Sequence, residues 1–70
     1  MDYKELKIKG EFIKLDDAMK LSGMAATGGH AKIVIQNGEV KVNDLVCTMR
    51  GKKLHKGDRF EFMNKGFVIV

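Results

Sequence analysis

Apolar and polar positions alternate near the start of the chain. Leu6 and Ile8 are separated by Lys7 and Lys9, a period of two that predicts a short half-exposed strand ended at Gly10. Beyond Phe12 and Ile13, which lead into a helix, the period lengthens. Leu15, Ala18, Met19 and Ser22 fall at i, i+3, i+4 and i+7, one face of a helix of about two turns. Asp16 and Asp17 stand in its first turn, where the helix dipole favours acids. Gly23 follows as a residue able to take the left-handed conformation that ends a helix. A second helix is predicted from Thr27, whose hydroxyl can accept from the open amides of the first turn. His30 in place of Glu three residues later leaves the capping box incomplete. Ala31, Val34 and Ile35 supply its apolar face, and Gln36-Asn37-Gly38 ends it.

The remainder reads as strands. Val40 and Val42 alternate with Glu39 and Lys41, and Asn43-Asp44 supplies a tight turn into Leu45-Val46, a hairpin pattern. Leu54-x-x-Gly57-Asp58 predicts a turn before a strand from Arg59 to Phe62, and Asn64-Lys65-Gly66 a turn into a last strand from Phe67 to Val70. This order implies an α+β fold, two short helices packed on a small, mainly antiparallel sheet of three to five strands. With no repeat, linker or low-complexity stretch, residues 1–70 form one domain.

Composition narrows the classes. Seventy residues leave no room for a multidomain enzyme, and at this size folds often lean on disulfides, metals or partners. Cys47 is the single cysteine, so it closes no intrachain disulfide, and its setting suits a strand. His30 and His55 add no zinc-ligand spacing, so no metal and no cofactor is expected. The five methionines suit gap-filling packing. Ser22, Cys47 and the two histidines form no nucleophile and base arrangement, so no catalysis is expected. Apolar runs such as Phe67-Val68-Ile69-Val70 are far below the ~20 residues of a membrane span. The mixed-charge start, Met1-Asp2-Tyr3-Lys4-Glu5, is not that of a signal peptide, and with an unpaired thiol the expected compartment is the cytoplasm.

Charge adds direction. The net +4 of 13 Lys and Arg against 9 Asp and Glu lies wholly beyond residue 26, because residues 1–26 balance. Arg50, Lys52, Lys53, Lys56 and Arg59 crowd a stretch whose one acid is Asp58, a pattern that attracts polyanions. The plain alternative is a solvated basic loop.

The stretch from Phe12-Ile13-Lys14-Leu15-Asp16 through Gly23, Thr27, Ala31 and Ile35-Gln36-Asn37-Gly38-Glu39-Val40-Lys41-Val42-Asn43 resembles the S-four RNA-binding domain, with a core motif over about residues 12–44. Thr48-x-Arg50 and Gly57-Asp58 occupy places where that family has a basic segment and a turn. Because the domain takes up nearly the whole chain, the resemblance is to the stand-alone bacterial branch, the YaaA/YbcJ type. Where many members carry arginines after the second helix cap, this chain has Gly28 and Gly29. Two glycines at a helix start leave backbone N–H groups bare, and these can approach a phosphate.

The resemblance implies a protein that binds structured RNA, ribosomal RNA or a ribosome-assembly intermediate before transfer RNA, as a monomer. With the charge run and the helix geometry, the candidate contacts are Lys14, Thr27, Gly28, Gly29, His30, Lys32, Lys41, Asn43, Arg50, Lys52 and Lys53. Lys32 lies just off the apolar face of its helix, and Lys41 on the outer face of its strand, where it joins Lys32 if that face binds. Asn43 serves a turn as readily as a ligand. Arg50, Lys52 and Lys53 flank Gly51 and either track a phosphate backbone or form a mobile loop. His30 can donate to phosphate when protonated. Tyr3, Phe12, Phe60, Phe62 and Phe67 show no alternation with basic residues that predicts a stacking platform, which favours recognition through backbone and shape. A protein-interaction module that sets the basic face on an acidic partner is the main rival. A sulfur carrier of the β-grasp type also shares strand patterns, but needs a terminal Gly-Gly where this sequence reads Ile69-Val70.

Overall fold

The structure, a computed structural model, describes residues 2–70. Its elements are β1 (Tyr3–Leu6), β2 (Phe12–Lys14), α1 (Leu15–Leu21), α2 (Gly28–Gln36), β3 (Val40–Val42), β4 (Leu45–Val46), β5 (Lys53–His55), β6 (Arg59–Phe62) and β7 (Lys65–Ile69). Five strands form one sheet in the order β1-β7-β6-β3-β4, and β2 pairs with β5 in a separate two-stranded ribbon. Every pairing is antiparallel except β1 with β7. The α+β class expected from the sequence is therefore the one observed.

The helix boundaries follow from local chemistry. Leu15, Ala18 and Met19 of α1 and Ala31, Val34 and Ile35 of α2 are buried, as their spacing predicts. Gly23 and Gly38 take the left-handed conformation just past the two helices, at φ 81° and 78°. These helix faces meet the inner face of the large sheet, where Leu6, Val40, Val42, Phe60, Phe62 and Ile69 are buried. Phe60 and Phe67 stack across β6 and β7 with ring centroids 5.7 Å apart.

Three details differ from the sequence pattern. The first strand lies earlier, at Tyr3–Leu6, because its ladder with β7 runs from Tyr3 opposite Gly66 to Leu6 opposite Ile69. Ile8 sits beyond it, and its N–H still donates to the Val70 carbonyl at 3.1 Å. The last hairpin turns at Met63-Asn64, both at positive φ, so β7 begins at Lys65 and Gly66 is buried within it. Burying Phe60 and Phe62 on one face fixes that register, and Met63 accepts a left-handed backbone that its side chain disfavours. Finally, Phe12–Lys14 is a strand, not merely a lead into the helix, and its partner more than 35 residues away, Lys53–His55, is a strand where a turn from Leu54 was expected, because the pairing buries Leu54. Cys47 lies one residue past β4, half-buried, with Sγ 3.8 Å from the Met49 carbonyl.

Candidate nucleic-acid interface

The β2·β5 ribbon aligns Phe12 with His55, Ile13 with Leu54 and Lys14 with Lys53. Because side chains alternate along a strand, Ile13 and Leu54 turn inward and Leu54 is fully buried. Phe12, Lys14, Lys53 and His55 all project from the other side and are exposed. Two lysines thus face each other across a ladder, an arrangement that costs stability when nothing neutralises them. Lys53 Nζ lies 4.8 Å from the centre of the Phe12 ring, and the Phe12 and His55 rings are 6.0 Å apart. Basic and aromatic side chains therefore do share a surface, contrary to the expectation from the sequence. The signal was present as Phe12-x-Lys14 and Lys53-x-His55, but each is too short to read alone.

The basic segment before β5 is held by its backbone. Lys14 at the start of α1 makes no side-chain cap. Instead the Leu15 N–H donates to the Lys52 carbonyl at 2.8 Å and the Asp16 N–H to the Arg50 carbonyl at 3.0 Å. The chain around Arg50, Lys52 and Lys53 is thereby docked on the start of α1, beside Lys14, and is not a free loop. Its side chains remain exposed.

A second group forms where α1 hands over to α2. Thr27 Oγ1 accepts from the His30 N–H at 3.1 Å, capping α2 as expected. Among the described residues, neither the Gly28 nor the Gly29 amide finds an acceptor. Lys20, at the end of α1, extends over this turn, with Nζ 3.8 Å from where a Cβ on Gly28 would stand. It also pairs with Asp17 at 3.4 Å. Lys32 lies one helical turn after Gly28 on the same side, and helix side chains lean back toward the N-terminus. Lys20 thus stands beside Gly28, and Lys32 shares the helix face of Gly28, while His30, two residues on, is turned to another side. Lys20 was missed in the sequence because it reads as a solvated helix position, and only the approach of the two helices brings it to Gly28.

Two residues are placed elsewhere. Lys41 points from the sheet face opposite the helices, across the ladder from Glu61, and does not join Lys32. Asn43 closes the β3–β4 turn at φ 50°. Its Oδ1 accepts from the Arg59 N–H at 3.0 Å and its Nδ2 donates to Asp58 Oδ1 at 3.1 Å. Asp58 Oδ2 also accepts from the His55 N–H at 2.8 Å. Partial burial works to raise the Asp58 carboxyl, but these two hydrogen bonds, with the charges of His55 and Lys52, outweigh it and hold it below its ordinary value of 3.8.

Beside Lys41 the outer sheet face is a network of opposite charges. Arg59 Nη2 meets Asp44 Oδ2 at 3.0 Å, and its guanidinium lies 5.3 Å from the centre of the Tyr3 ring. The Asp44 hydrogen bond and charge hold Arg59 more firmly protonated. The Tyr3 hydroxyl donates to Glu61 at 3.1 Å. Local desolvation, then that hydrogen bond, pushes the Tyr3 phenol above 10.0. By contrast, among the described residues Lys14, Lys32, Arg50, Lys52 and Lys53 make no ion pair. Those residues also include no group of three or more His, Cys, Asp or Glu that could hold a metal, and no helix long and apolar enough to cross a membrane.

Two short helices joined by the six residues 22–27 and backed by a small sheet, with cations at both ends of the first helix, make a compact α+β domain whose exposed cations suit a polyanion. The chain belongs to the S4 domain family, whose model matches residues 6–70. It is 38% identical over 66 residues to the Bacillus subtilis protein named "Probable ribosome maturation protein RlbA", with 93% of each chain covered. It is 34% identical over 62 residues to the Escherichia coli protein named "Putative RNA-binding protein YbcJ", with 89% of each covered.

Proposed function

We propose that this chain binds structured RNA without catalysing a reaction, holding phosphates between the ribbon cations at one end of α1 and the α2 turn at the other. The observation that carries this is the direct opposition of Lys14 and Lys53 with no counter-ion, next to Arg50 and Lys52 on a fixed backbone. Such a grouping is destabilising in the free protein and is relieved by a polyanion. Seven residues of α1 separate the two groups by about 10 Å, so one RNA surface reaches both. Gly28 and Gly29 offer backbone N–H groups at the α2 end, with Lys20 beside Gly28 and Lys32 one turn along the same face. Lys41 and Asn43 take no direct part, since one faces away and the other is engaged by Asp58 and Arg59. Of the two relatives, one is named a ribosome maturation protein and one an RNA-binding protein, which supports a ribosome-related RNA; the target proposed is ribosomal RNA or a ribosome-assembly intermediate, with transfer RNA second. The protein acts as a monomer in the cytoplasm.

The test is a salt-titrated binding assay of the purified chain against structured ribosomal RNA and duplex DNA of equal length. With about four phosphates neutralised, log K falls with log salt at a slope of roughly −3 to −4. RNA preference with that slope, reduced in a Lys14→Ala, Lys53→Ala double variant, supports the assignment. Equal or absent binding to both nucleic acids with the fold intact sinks it and moves the search to an acidic protein partner.

A further inference from the structure

We infer that the outer face of the β2·β5 ribbon is a stacking site for one unpaired nucleobase, with Phe12 as its floor and Lys14 and Lys53 as holders of the flanking phosphates. This rests on the RNA-binding function proposed above and adds to it a class of ligand: a nucleotide outside a helix, not a duplex surface alone.

The ribbon has three residues per strand, and its inward positions, Ile13 and Leu54, suffice to join it to the core. Phe12, on the outer side, is covered in part by Lys53 and His55 and keeps 41% of its surface exposed between cations. A ligand for this spot needs an apolar planar group for the ring and negative charge for the cations beside it. An unpaired nucleotide has both. Lys53 Nζ, 4.8 Å from the ring centre, occupies the electron-rich face as a mobile placeholder on a flexible stem, and a base can take that place while the ammonium shifts to a phosphate. His55, tilted by 48° to Phe12, forms a side wall on a strand whose backbone N–H at His55 is held by Asp58 Oδ2 at 2.8 Å. Stacking on an aromatic floor tolerates any base, so the site selects unpaired structure and not sequence.

Two RNA hairpins test this, one fully paired and one identical but for a single unpaired purine, with wild type, Phe12→Leu and Phe12→Trp as the proteins. The chain contains no tryptophan, so Phe12→Trp places a single fluorescent reporter on the ribbon. The expected result is roughly tenfold tighter wild-type binding to the bulged hairpin at equal salt. Phe12→Leu loses that preference while keeping its affinity for the paired hairpin and its salt slope, which also shows that it is folded. Phe12→Trp keeps the preference, and its emission is quenched by the bulged hairpin and not by the paired one. Equal wild-type binding to both hairpins, or a preference that survives Phe12→Leu, overturns the stacking site and leaves phosphate binding standing. Binding to neither hairpin at low salt overturns both.

Discussion

On the outer face of the five-stranded sheet, cations stand beside acids: Arg59 is bonded to Asp44, Lys41 faces Glu61, and Tyr3 bridges to the same glutamate. On the ribbon and helix side, Lys14, Lys32, Arg50, Lys52 and Lys53 have no ion-pair partner among the described residues. The same residue types therefore have two roles. Where a charge is answered within the fold, as Arg59 is by Asp44, the cation joins strands and turns, and Lys41, without an ion pair, still stands across the ladder from an acid. Where charges of one sign gather on backbone fixed by other means, their field extends outward and is available to a polyanion. The run Arg50 to Arg59, uniform in sequence, is divided by the fold between these two roles.

The contrast can be broken at several points. The largest effect is expected from Leu54→Ala, which empties a fully buried position under the ribbon and costs about 2–5 kcal/mol of stability, seen as a lower Tm. A Tm near wild type would mean that the ribbon is not anchored to the core. Next, Lys14→Glu with Lys53→Glu should weaken RNA binding by about two orders of magnitude at moderate salt. The fold should be kept, because the two side chains are exposed. The single change Lys41→Glu, half as large in charge, should leave affinity within about threefold, against about tenfold for Lys53→Glu alone; an equal loss in these two single variants would erase the distinction between the faces.

A subtler effect is expected at the α2 turn. Gly28→Ala introduces a Cβ at ordinary contact distance from Lys20 and removes unfolded-state freedom, so stability should rise by about 0.4–1 kcal/mol. RNA binding should fall at the same time, because the methyl group keeps phosphate from the backbone. Unchanged binding in that more stable variant would remove α2 from the interface. The smallest effect concerns acid. Asp58 is depressed in the folded state, so its contribution is complete above its ordinary value of 3.8 and disappears as pH falls through the folded value. A plot of Tm against pH should therefore be flatter for Asp58→Ala than for wild type in that acid range, and parallel curves would show that the clamp from Asn43 to His55 carries no linkage.

The helices, their caps and their buried faces were legible in the sequence. Their causes are local: Thr27 bonds three residues ahead, Gly23 and Gly38 turn the chain, and Leu15, Ala18 and Met19 repeat at the helical period. The Asn43-Asp44 turn was legible for the same reason. The second hairpin was displaced because Asn64 and Gly66 both suit a turn, and the choice fell to Phe60 and Phe62, which must face inward together. Much of the candidate site was visible only as a list. Lys14 and Lys53 were both singled out by residue type, yet that they stand opposite each other was not, and Phe12, His55 and Lys20 were missed.

By itself the sequence determined two capped helices, a chain of short strands, an excess of positive charge beyond residue 26 and the family motif between Phe12 and Asn43. Those features depend on interactions within a few residues or on simple sums. Only the tertiary structure decided which cations are neutralised and which gather with their like, because that depends on pairings such as Arg59 with Asp44 and Lys14 with Lys53. Coulomb attraction and hydrogen bonding act over a few ångströms of space, and separation along the chain does not enter them.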